Sequence, residues 1–353
     1  MNSPKIAQIE PWKHKISNAH QLGGIETSVL DNGLGRGVRV AWINTGTGLR
    51  YKVLLDRGFD ILDCFYNESS LSWISHAGVF APQPFSNKGI DWLRTFGGGI
   101  LTTCGLSNAG PPNSDELGER GLHGNFSNIP GELISIKNPD LSSGDLSFEL
   151  VGKIRETSTF GPSLELTRKI SGKLGEAAIH VEDTVVNKGN TLAPHMLLYH
   201  INCGWPLIDE DTRIIWNGEI VPKSNDENNT AFNKEHKFTK CAPPLEEHVG
   251  FGEDVAFIQP KEDENSQVTC GFANDQLALA LKISFSKEQL PWLIHWQHWG
   301  KNEYVTALEP ATNPPIGQGA ARENGTLIQL KPGESKAYHL KLEVLTGDDV
   351  KEF

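Results

Sequence analysis

Ser163 to Gly172 reads SLELTRKISG, and the fold class turns on how those ten residues alternate. Leu164, Leu166 and Ile170 alternate with charged residues over part of the run, the two-residue period of a strand with one face in a core and the other in water. Outward from it, runs of strand length that close in Gly, Asn, Asp or Pro recur along the chain: RGVRVAWINTGTG and YKVLLDRGFDILDCFYN before it, AAIHVEDTVVNKGN, HMLLYHINCGW, QLALALKISFS and KAYHLKLEVLTG after it. Such punctuation marks strands and turns. Helical signals are few, IEPWKHKIS at residues 9–17 and SKEQLPW at 286–292, the second cut short by Pro291. No short fixed period suggests a propeller or solenoid. The pattern predicts an all-β chain, a large antiparallel β-sandwich with few short helices, as one domain over 1–353 with residues 1–25 as an N-terminal extension packed on it. The polar stretch Ile220 to Pro244, with KSNDENN at its centre, reads as a mobile excursion.

At 353 residues the chain can bury a large core. Its formal net charge of -12, with no Lys/Arg block, argues against nucleic acid and against anionic membrane surfaces and favours a neutral or cationic small molecule. The N-terminus carries no apolar run of signal-peptide length, and no later segment approaches a membrane span, so a soluble, cytoplasmic protein is expected. The five cysteines are an odd number without a CxxC pair and read as reduced, buried small hydrophobes. Monomer and homodimer both stay open.

Three distant stretches set ionisable groups in apolar context: ERGLHGNFSNIPG around His123, HMLLYHINCGWPLID around His200, and ALEPATNPP around Glu309. Alone, each is ordinary: a histidine in an apolar strand is usually a hydrogen-bonded core residue, and a Glu before Pro usually closes a turn. A sandwich, however, brings distant strand ends to one concave face. A carboxylate at the end of an apolar strand carries a desolvation cost unless its charge is used.

In combination, LHG, LYHIN and ALEPATNPP, in that order, resemble the aldose 1-epimerase (galactose mutarotase) superfamily. WLRTFGGGILTTCGLSNAGPP followed by GLHGNFSNIPG is similar to the Arg-Gly-Gly and HGF elements of its hexose-phosphate branch. The nearest likeness is to an uncharacterised bacterial aldose 1-epimerase group marked by DRGFDI, TTCGLSNAG and YVTALEPATN, and it spans roughly Leu49 to Leu345. The resemblance implies a supersandwich and a cofactor-independent isomerase of carbohydrate metabolism that interconverts the α and β anomers of a free monosaccharide. It implies Glu309 as the base at the anomeric hydroxyl and His200 as the acid at the ring oxygen, one on each side of the bond that opens. Their mutual attraction would favour carboxylate and imidazolium. His123 would orient the sugar or stabilise charge at the ring oxygen, and Arg94 would donate to hydroxyls. No metal or organic cofactor is required.

Where the family has HGF, this chain has Asn125 and then Phe126, and Ser127 and Asn128 stand where the phosphate-sugar branch has arginine. A neutral sugar is therefore expected over its phosphate. Asn125 joins the substrate-binding candidates. So does Arg57 of DRGFDI, placed equally well at the site rim or in a charge network with Asp56 and Asp60. In PWLIHWQHWGKNEY most tryptophans are expected in the core, with Trp296 a candidate stacking platform. His248 and Asp254 of EEHVGFGED are candidates for a sugar hydroxyl. His295 and His298 are discounted as a metal pair, because in a strand they point to opposite faces. Two other classes compete: a carbohydrate-binding or sensing module using the same cleft, and a metal-dependent sugar isomerase. Retention of both His200 and Glu309 favours the enzyme over the first, and the lack of clustered ligands disfavours the second.

Overall fold

The computed structural model describes residues 14–116, 118–221 and 238–353. Over these residues the protein is an all-β sandwich with short helices only, Gln318–Glu323 and Asp349–Glu352 being its α-helices. A five-stranded meander runs from Gly24–Val29 to Ser69–Ser70, followed by an eight-stranded sheet, a seven-stranded sheet and a two-stranded hairpin. Ser163–Lys173 lies inside the eight-stranded sheet, antiparallel to Ser147–Thr157 and Ala178–Asn187. Leu164, Leu166 and Ile170 face the core as their alternation predicts. Arg168, spaced evenly between Leu166 and Ile170, shares that face and is fully buried.

The seven-stranded sheet carries the site. Its strands, in chain order, are β1 (Thr102–Leu106), β2 (Ala193–Gly204), β3 (Gly218–Val221), β4 (Asp254–Pro260), β5 (Trp292–Gly300), β6 (Glu303–Ala311) and β7 (Ile328–Leu330). They lie in the order β3-β4-β5-β6-β2-β7, and β1 also pairs with β2. β2 is buried at every residue, as a strand covered on both faces must be. Its Leu197, Tyr199 and Ile201 enter the main core with Tyr51, Phe272 and Leu340 from the other sheets, whereas Met196 and Leu198 join a smaller apolar cluster with Trp92, Phe96, Phe257 and Ile294. One strand thus divides the interior into two apolar bodies, and His200 falls on the side of the smaller one.

SKEQLPW forms a single hydrogen-bonded turn, Leu290 N–H donating to the Ser286 carbonyl, rather than a helix; Pro291 ends it. The helix expected over 9–17 falls mostly outside the described residues, as does the centre of the expected excursion, 222–237. All five cysteines are buried and unpaired. Among the described residues no helix is long and apolar enough to cross a membrane.

Candidate active site

The register of β2 on β6 pairs Leu198 with Ala311 and Ile201 with Leu308, which sets His200 opposite Glu309. The ladder is interrupted between those pairs, where Pro310 has no N–H to give. Glu309 therefore does not end its strand, as the sequence suggested; β6 continues through Pro310 to Ala311. Directly opposed residues on neighbouring strands hold their Cβ atoms about 5 Å apart, and His200 Nε2 stands 3.2 Å from Glu309 Oε1. The residues are 5% and 2% exposed.

Beyond His200 Nε2, Glu309 Oε1 has no hydrogen-bonding neighbour. Burial pushes the Glu309 carboxyl well above its ordinary range, with the charge of Glu253 adding to the effect, and pushes the His200 imidazole well below its own, with His123 adding. The expectation of a carboxylate beside an imidazolium is thus corrected. In this dry setting, burial favours the uncharged form of each group.

His123 comes from the LHG turn. Its backbone is left-handed (φ 57°), as is that of Gly124 (φ 72°), where a Cβ would lie 2.4 Å from the Gly105 carbonyl. Gly110 N–H donates to His123 Nδ1 at 3.3 Å, so the ring proton sits on Nε2. Burial lowers this imidazole to about 4, keeping it a neutral donor. Its ring lies 6.1 Å from that of His200 and 4.8 Å from that of Trp92.

These groups line a cavity of about 720 Å³. Trp92, stacked on Phe96 at 4.1 Å, forms one wall, and Trp296, edge-on to His200 at 5.3 Å, forms another. The Trp296 indole N–H donates to Glu253 at 2.7 Å. The ionisable lining is histidine and glutamate; no Lys or Arg lines it among the described residues.

Other residues singled out in the sequence lie elsewhere. Arg57 is a buried clasp, donating to the carbonyls of Ser127, Phe80 and Thr95 at 2.6, 3.1 and 2.9 Å. It thus belongs to neither the rim nor a surface network, and burial lowers it to about 10. Arg94 ends the turn Asp91–Arg94 with its side chain 82% exposed against Asp91, while Trp92 of the same turn points inward. Asn125 is buried, its amide on the Pro84 carbonyl. His248 accepts from Trp299 N–H at 2.8 Å and meets Asp254 at 3.1 Å, a peg behind the wall. EEHVGFGED reaches the cavity instead through Gly250, Phe251 and Glu253. His295 and His298 do take opposite faces: His295 meets Trp216, and His298 stacks on Trp296 inside the cavity.

Trp92, Glu253, His298 and Glu303 were missed. Glu303 was legible, because it is six residues before Glu309 on one strand and so shares its face.

The family model described as Domain of unknown function (DUF4432) matches residues 35–344. No curated protein matches the chain. Among solved structures, a candidate aldose 1-epimerase from Klebsiella pneumoniae is 23% identical with a TM-score of 0.82, over 95% of this chain and 88% of that one. A galactose mutarotase-like protein from Clostridium acetobutylicum is 13% identical with a TM-score of 0.63, over 93% and 100%. A galactose 1-epimerase from Lactobacillus acidophilus is 12% identical with a TM-score of 0.58, over 92% and 99%. At these identities the likeness is one of fold. With its sheets arranged as a galactose mutarotase-like β-sandwich, the chain belongs to the DUF4432 family.

Proposed function

We propose that this protein is an aldose mutarotase, a cofactor-independent isomerase that interconverts the anomers of a free, uncharged reducing sugar in the cytoplasm. The observation that carries this reading is the opposed pair, His200 and Glu309, 3.2 Å apart, nearly buried and both on the wall of the cavity. An acid and a base held side by side on a cavity wall suit a hemiacetal, whose hydroxyl and ring oxygen sit on one carbon.

The pair holds one proton whether written as carboxyl and imidazole or as carboxylate and imidazolium. Sugar hydroxyls that donate to Glu309 favour the second form, and the proton crosses to His200. Glu309 then takes the proton of the anomeric hydroxyl as His200 protonates the ring oxygen. The C1–O5 bond breaks, the aldehyde rotates, and closure on its other face reverses both transfers. The Nε2–H of His123 steadies charge at the ring oxygen. A lining without Lys or Arg offers no counter-charge to a phosphate, which supports an uncharged substrate.

Exchange NMR across a panel of reducing sugars tests this. Adding the protein is expected to broaden the anomeric proton lines of at least one of them. A folded protein that broadens none while still binding sugar would instead favour the binding or sensing module.

A further inference from the structure

Ring opening uses only the inner end of the cavity. From Glu309, the same face of β6 runs back to Glu303, six residues away or about 20 Å at roughly 3.3 Å per residue. The adjacent face of β5 carries Trp296 and His298 along that run, and both line the cavity with Glu303.

The outer end is organised although the chemistry makes no use of it. Glu303 lies with one oxygen 3.3 Å from His76 Nε2 and the other 3.5 Å from His298 Nε2. His298 is itself anchored through Nδ1 to the Gly252 carbonyl at 2.6 Å. Trp296 lies nearly parallel to His298, at 6.3 Å and 9°, and its indole N–H is fixed on Glu253. The result is a pre-set aromatic plane with a carboxylate beyond it. The 720 Å³ of the cavity is in the upper part of the range, roughly 300–1,000 Å³, that encloses drug-sized ligands. A single six-carbon ring fills only a fraction of it.

We propose that the outer end is a second sugar subsite and that the substrate is an uncharged reducing disaccharide. Its reducing unit sits against His200 and Glu309. Its second unit lies on Trp296, the apolar C–H face against the indole and hydroxyls donating to Glu303. This rests on the mutarotase reading for the inner end, but the outer end is tested separately by binding.

Titration calorimetry and exchange NMR on the full chain would compare glucose with maltose, cellobiose and gentiobiose, galactose with galactobiose, and mannose with mannobiose. At least one disaccharide is expected to bind about tenfold more tightly than its own reducing-unit sugar, the scale of one added stacking contact and its hydrogen bonds. Trp296→Ala and Glu303→Gln should bring that ratio close to one, whereas Trp296→Phe, which keeps a ring, should retain most of it. Equal affinities throughout the panel, or a ratio unchanged in both Trp296→Ala and Glu303→Gln, would overturn the second subsite. Tight disaccharide binding without acceleration of any anomer exchange would support the subsite and overturn the mutarotase reading.

Discussion

Tyr199 and His200 are neighbours on β2, and the two sides of the strand treat buried charge in opposite ways. On the Tyr199 side, Arg168 donates to Asp183 at 2.9 and 2.6 Å and to Asp60 at 3.1 Å. The Tyr199 hydroxyl adds a bond to Asp183 at 2.8 Å, and Thr103 closes on Asp60 through its hydroxyl and backbone N–H. Even so, burial raises Asp60 to about 6. On the His200 side, two ionisable groups equally deep in the protein face each other at 3.2 Å on the wall of the cavity. Burial is common to both, so burial alone does not mark a site. The difference is completeness: the first network is closed and holds sheets together, and the second is open toward a cavity.

The largest effect should come from the open side. Glu309→Gln and His200→Asn should each lower mutarotation about a hundredfold to ten-thousandfold, the scale of a positioned acid or base. On the proposed mechanism both groups act in one transition state, so the double variant should be little worse than the poorer single one. Folding stability should change by less than about 1 kcal/mol in urea titrations, since an incompletely bonded carboxyl contributes little to the fold. Loss of stability without loss of rate in Glu309→Gln would erase the contrast between the two sides.

Arg168→Met should behave the other way. It leaves Asp183 and Asp60 buried without their cation and is expected to cost about 3–5 kcal/mol of stability, measured by the same titration. Near wild-type stability would show that the closed network does not hold the sheets.

The pH profile sharpens the comparison further. The working pair carries one proton. His200 gains a second only well below its ordinary value of about 6.5, because its imidazole is depressed. Glu309 loses the only proton well above about 4.3, because its carboxyl is raised. Activity should therefore form a broad plateau, with an acidic limb from protonation of His200 and an alkaline limb from ionisation of Glu309, each falling about tenfold per pH unit beyond its bend. A limb of the opposite origin, alkaline activity lost with a His200-dependent midpoint above about 6.5, would restore the charged pair expected from sequence.

The smallest effect is expected at Arg94. Its exposed side chain touches Asp91, away from the cavity. Arg94→Ala should leave turnover within about twofold and stability within about 0.5 kcal/mol.

The strands were legible because alternation survives in one-dimensional text, and the pair was legible because LYHIN and ALEP stand in a known order. Less legible was which face each residue takes once a turn intervenes. Arg94 drew attention within WLRTFGGG, but the turn over Asp91–Arg94 sends Trp92 inward and the arginine out. Arg57 looked like rim or surface because two aspartates flank it. Its true partners are three carbonyls from segments 23 to 70 residues away, which no local pattern encodes. Charge state was misjudged for a similar reason: the sequence brings Glu309 and His200 together but does not say how dry the place is.

His200 and Glu309 face each other from adjacent strands of one sheet, so the distance between the proposed acid and base is inherited from the sheet's own repeat of about 4.8 Å. The cavity walls come from elsewhere, Trp92 from a turn and Phe251 from a loop between glycines. Reaction and recognition are therefore separable inheritances. A lineage that lengthens, exchanges or loses its wall loops acquires a new diet without having to reinvent the chemistry. For the same reason, loops transplanted from a relative onto this sheet should transfer sugar preference while the proton transfers stay as they are.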